Sequence, residues 1–144
     1  MQSPARRIEA NWEEKCWGRV QHIFYNSKAG VSHLEVERGF RCSIHKHKYR
    51  NNMFCVHSGL LVVQVWPGDL ADDKSELILL SPGEVLDVPA GYWHRFRVYR
   101  SGILTEIYTP NCGGVDFKDI ERFDQGGEDT IEQLRFALDE LAIE

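Results

Sequence analysis

From residue 16 onward the chain is cut into short apolar runs by Gly, Pro, Asn and Asp. The runs recur at about 8–12 residues, a spacing that predicts many short strands rather than helices. Strands are expected at 16–25 and 32–37, with the turn cluster Asn26-Ser27-Lys28-Ala29-Gly30 joining them as a hairpin. Further strands are expected at 40–44 and 53–57. Gly59 ends the second of these before 60–66, which is apolar on both faces and so reads as central. Pro67-Gly68-Asp69 makes a turn, and an exposed acidic loop runs through Asp72 and Asp73 to Ser75. Strands at 77–80, 85–88, 93–99 and 103–108 complete the series, divided by Ser81-Pro82-Gly83, Pro89-Ala90-Gly91 and Arg100-Ser101-Gly102. The two ends differ. Residues 1–15 are polar, with Ile8 and Trp12 spaced as one face of a short helical turn. Residues 128–141 carry Ile131, Leu134, Leu138 and Leu141 at helical spacing behind a cap at Asp129 or Thr130. The pattern predicts an all-β barrel or jelly roll with a short C-terminal α-helix packed on the barrel or across a dimer interface.

At 144 residues the chain suffices for one core, and the division expected is a barrel with an N-terminal extension over 1–127 and the helix over 128–144. Apolar content of 42% and charged content of 27% are those of a soluble globular domain. A net charge of −5 argues against a nucleic-acid partner, which needs a basic face. No apolar run approaches membrane-spanning length. The first residues lack the apolar run of a secretory signal, and the four cysteines form no C-x-x-C pair; both point to a reduced, cytoplasmic protein.

The chemistry concentrates at three histidines. In an extended strand alternate side chains share a face, so His45 and His47 project together. His94, within PAGYWHRF, can supply a third imidazole from a distant strand. Such a set suits one divalent first-row ion: Zn, Mn, Fe, Ni or Co. Isolated histidines are usually hydrogen-bonded core residues, and His22, His33 and His57 are read that way; three in matched contexts are read as ligands. Residues 39–47 spell G-x5-H-x-H and residues 83–94 spell G-x5-P-x-G-x2-H. Together these resemble the two signature motifs of the cupin superfamily, which implies a jelly-roll barrel (the double-stranded β-helix) around a metal. The chain departs from the family at Asn52, which stands where a glutamate ligand is usual, and at Val98. Asn52 thus becomes a weak, neutral fourth candidate ligand.

A narrower resemblance runs from about residue 12 to 124. The stretch at 12–19, the H-x-H-x-x-R segment continuing to Ser58-Gly59, and the ending at 105–108 and 113–124 are similar to phosphomannose isomerase and related sugar-isomerase cupins. The resemblance implies a metal-dependent isomerase or epimerase acting on a sugar or sugar phosphate, and a homodimer that covers its open strand edges. Isomerisation needs an acid–base group, for which Glu106, Tyr49 and Tyr108 are candidates. Arg41, which shares strand parity with His45 and His47, and Arg50 are candidates for an anionic ligand group, with Tyr108 beside them. Lys46 and Lys48 read as a solvated outer face. Two other readings stay open: a three-histidine Fe(II) dioxygenase, and a non-catalytic module binding a carbohydrate or small anion.

Overall fold

The structure is a computed structural model describing residues 3–71, 74–116 and 118–140, with side chains as far as residue 135. Among these residues eleven strands form one curled antiparallel sheet. They are β1 (Trp12–Lys15), β2 (Gly18–Tyr25), β3 (Gly30–Val36), β4 (Phe40–Arg41), β5 (His45–Lys46), β6 (Arg50–Trp66), β7 (Glu76–Leu80), β8 (Val85–Val88), β9 (Trp93–Pro110), β10 (Glu121–Arg122) and β11 (Gly127–Glu128). A single helix, α1 (Ile131–Glu140), follows. The all-β architecture with a short terminal helix is as the apolar periodicity indicates.

The hairpin at 26–30 forms between β2 and β3, with Tyr25 paired to Gly30. Asn26 closes it: its backbone N–H donates to Ala29 O at 2.9 Å, and its Oδ1 accepts from the amides of Lys28 and Ala29. Two long strands carry the barrel. β6 unites the stretches expected as separate strands at 53–57 and 60–66, and β9 unites those at 93–99 and 103–108. Gly59 and Gly102 bend these strands without ending them. Gly59 has φ +90°, and a Cβ there would lie 2.7 Å from Arg100 O; one on Gly102 would strike Ser58 O. The backbones therefore cross closely at a bulged corner, where register shifts between Val56 and Leu61.

Residues 60–66 are apolar on both faces because both faces are covered. Leu61 and Val63 point into the main core with Leu34, Phe54, Phe96, Val98 and Leu104. Val62 points out instead, where Tyr99 and Leu134 of α1 cover it. Tyr99 Oη donates to Leu134 O at 2.8 Å, fixing the helix to the barrel. Thr130 is the cap: Gln133 N–H donates to Thr130 Oγ1 at 3.1 Å, and Thr130 N–H donates to Gln133 Oε1 at 2.8 Å. Asp129 is buried one residue earlier and does other work. The side chain of Leu138, together with Leu141, Asp72, Asp73 and Phe117, lies outside the described residues.

The N-terminal expectation is corrected. Residues 12–15 make an edge strand, not a helical turn, with Trp12 opposite Gln21. Trp12 is held flat there by the Arg19 guanidinium, 3.9 Å from its ring centre.

Candidate metal centre

β5 and β9 meet at one register point, where His45 and His94 are direct cross-strand partners. His47 lies two residues beyond His45 on the same face. The three rings pack with centroids 4.4 to 5.5 Å apart, and one ligating nitrogen from each lies within 4.8 Å of the others. All three are buried.

Their tautomers follow from their partners. His45 Nδ1 lies 2.8 Å from Ser43 O, His47 Nδ1 lies 2.7 Å from Asp119 O, and His94 Nδ1 lies 2.9 Å from Tyr92 O. A carbonyl only accepts, so each Nδ1 carries the proton and each Nε2 keeps a lone pair. Arg50 Nε also lies 3.2 Å from His47 Nδ1, but that nitrogen cannot donate to Asp119 and accept from Arg50 at once. The shorter bond to the carbonyl decides it. His47 Nε2 is buried without a hydrogen-bond partner. Burial disfavours the charged ring throughout: His47 is lowered to about 3, His94 to about 4, and His45 well below the usual histidine range. Three neutral imidazoles presenting lone pairs, one of them orphaned, fit a divalent first-row cation.

Asn52 lies fully buried on β6 beside this set, its Nδ2 3.3 Å from His94 Nε2 and its Oδ1 without a partner. Turning the amide over would present the oxygen, the end able to ligate a cation.

His45, of the three, lines a cavity of about 900 Å³. Glu106 and Tyr108 on β9 line it, as does Arg50 at the start of β6. Tyr108 Oη donates to Glu106 Oε1. Burial pushes the Glu106 carboxyl up, against the opposing pull of Tyr108, Arg50 and Asn52. It pushes the Tyr108 phenol well up, and the neighbouring carboxylate adds to this. Arg50 lies over the Tyr108 ring, its Cζ 3.8 Å from the centroid, and donates from Nη1 to Asp116 O at 2.8 Å.

Two expected residues stand elsewhere. Arg41 does not share the histidines' face, because the chain leaves strand geometry between β4 and β5 and both Cys42 and Ile44 turn inward. Its guanidinium instead donates from Nη1 to Glu128 O and Asp129 Oδ1, each at 2.8 Å. Tyr49 sits exposed at a turn outside this cavity, under Lys48 Nζ. His57 is exposed and bonded to Thr105 Oγ1 at 2.7 Å. The four cysteines are free, and burial pushes the Cys42 thiol up to about 12, which suits packing and not nucleophilic attack.

Polar groups that the spacing of motifs does not disclose also face the cavity: Glu13, His22 and Tyr25. The signal for them was the hairpin, whose register sets His22 opposite Ser32.

No family model matches the chain, and no curated protein does. Solved structures do. The capsular polysaccharide assembling protein CapF from Staphylococcus aureus superposes with a TM-score of 0.65 at 21% identity, over 82% of this chain and 32% of that one. Oxalate decarboxylase from Bacillus subtilis, a protein with Mn(II) centres, gives 0.66 at 11% over 80% and 30%. PAC13 from Streptomyces, with uridine bound, gives 0.65 at 14% over 87% and 93%. The chain thus spans about a third of the first two proteins and nearly all of the third. With the curled antiparallel barrel, the paired signature motifs and the clustered histidines on the page, these likenesses establish that the chain has the cupin fold.

Proposed function

We propose that the chain is a metal-dependent isomerase or epimerase acting on a sugar or sugar phosphate. The observation that carries this reading is Glu106, a partly buried carboxyl that lines the same cavity as His45 and is held by Tyr108. His45, His47 and His94 would hold the ion, with Asn52 as a neutral fourth donor. The ion supplies Lewis-acid polarisation of a ligand oxygen.

The chain's own residues supply the rest. Desolvation makes the Glu106 carboxylate a stronger base than a solvated one, and so better matched to taking a proton from carbon near neutral pH. Tyr108 fixes the carboxylate's orientation, and Arg50 sets positive charge beside both. Arg50, Lys118 and Arg122 on the cavity wall favour an anionic ligand such as a sugar phosphate.

The test begins with metal content by plasma mass spectrometry. Aldoses, ketoses and their phosphates are then screened by NMR in deuterated water. Conversion with deuterium incorporation, lost in Glu106→Gln, is the expected result. An intact metal site that converts none of them would leave a ligand-binding module instead. Asn52 favours a second reading, a three-histidine Fe(II) dioxygenase, since it leaves the ligand set without a carboxylate. Bound iron with oxygen uptake would select it. A homodimer through the open sheet edges completes the proposal, and a monomer at micromolar concentration by light scattering would refute that part.

A further inference from the structure

Three strands bring four polar side chains together at one wall of the cavity. Glu13 Oε2 on β1 lies 3.1 Å from His22 Nε2 on β2. His22 Nδ1 lies 3.3 Å from Ser32 Oγ on β3, and Ser32 Oγ lies 2.9 Å from Tyr25 Oη. The pairing builds these contacts in, because His22 and Ser32 are direct cross-strand partners. Gly30 makes room for the last member, since a Cβ there would strike the Tyr25 ring. Exposure falls along the series: the Glu13 side chain is 48% exposed, that of His22 is 26%, and Ser32 is 0%. The series starts in solvent, passes through a hydroxyl that water does not reach, and ends on a phenol lining the cavity.

We infer that Glu13, His22, Ser32 and Tyr25 form a proton relay between solvent and the ligand space, with Tyr25 as its terminal group. The proton count closes. Starting from imidazolium, Tyr25 Oη–H passes to the ligand, Ser32 Oγ–H moves to Tyr25, and His22 Nδ1–H moves to Ser32. His22 is left neutral with its Nε2–H still donated to Glu13; a turn of the ring carries the vacant Nδ1 to solvent, where water reprotonates it, and returns it to Ser32. The same steps reversed take a proton out.

Lys15 pairs with Glu13, and the charges of Glu106 and Arg50 act on Tyr25. The rings of Tyr25 and Tyr108 stand 6.0 Å apart. The cavity therefore has two phenols with separate backing, one on Glu106 and one on the relay. A reaction that removes a proton at one atom and returns one at another can divide the two tasks between such groups. That use rests on the isomerase reading; the relay itself does not.

The experiment is an NMR titration of the full chain, with and without zinc, over about pH 5–9, the range in which histidine changes charge. Histidine carries ¹⁵N and the tyrosine Cζ carries ¹³C. The Tyr25 Cζ resonance is expected to move with the His22 midpoint. Ser32→Ala should abolish that movement while His22 still titrates. A Tyr25 resonance that stays still in the unmodified protein overturns the relay, and that observation needs no variant to fold. So does a movement equally large in Ser32→Ala, which would mark simple through-space influence. No substrate enters the experiment, so failure to find an isomerase activity leaves its outcome unaffected.

Discussion

Each imidazole at the centre is steered by a backbone carbonyl, which fixes both the ring's direction and the position of its proton. Removing one ring removes a ligand and leaves the other two aimed at a gap. His47→Ala is expected to cost metal affinity more than the about 10–100-fold typical of losing an orienting partner. The change also removes the bond to Asp119 O and leaves a cavity, so unfolding stability should fall by about 2–4 kcal/mol without loss of the fold. Metal content and urea denaturation measured together check this; unchanged metal content would remove His47 from the ligand set. The histidines were legible because alternation along a strand is a strict rule over two residues. The same rule failed for Arg41, four residues from His45, because it assumes an unbroken strand and the chain between β4 and β5 is not one. Tyr49 failed similarly, at a turn where no alternation holds.

At the scale of elements, the segment after β9 is what fastens the site. β10 pairs with β5 and β11 with β4, so the tail lies back over the histidine strand. Asp129 closes it, accepting from Arg41 at 2.8 Å and Arg97 at 2.6 Å with its own side chain fully buried. Asp129→Ala would strand two largely buried guanidiniums and should lower unfolding free energy by about 3–5 kcal/mol, the usual cost of breaking a buried pair. A chemical denaturation midpoint within error of the unmodified protein would show the pair to be dispensable. Apolar periodicity located the strands between β2 and β9 but missed β1, β10 and β11, and it divided β6 and β9 at Gly59 and Gly102. Glycine ordinarily punctuates; here it lets two backbones cross without interrupting either. The Glu13–His22–Ser32–Tyr25 cluster was hidden for a different reason. It depends on hairpin register, which no single residue's context reveals.

Over the whole molecule the buried rings make stability depend on pH. Their folded-state values lie below the unfolded value of about 6.5, so the unfolded chain takes up protons first as pH falls. The metal-free protein should therefore lose stability from about pH 6.5 downward, by up to about 1.4 kcal/mol per pH unit for each histidine. Glu106 acts in the opposite sense, because its carboxyl is raised. Thermal denaturation between about pH 8 and 5 measures the balance; a melting temperature that is flat or rises on acidification would contradict the neutral burial of the rings.

The tail has one more consequence, for the order of assembly. All three candidate ligands have been synthesised once residue 94 is added, yet the carbonyl of Asp119 that orients His47 and the carboxylate of Asp129 that seals the barrel come later. A nascent chain would own every imidazole before it owned the geometry that aims them, so metal capture belongs to the finished protein and not to its synthesis.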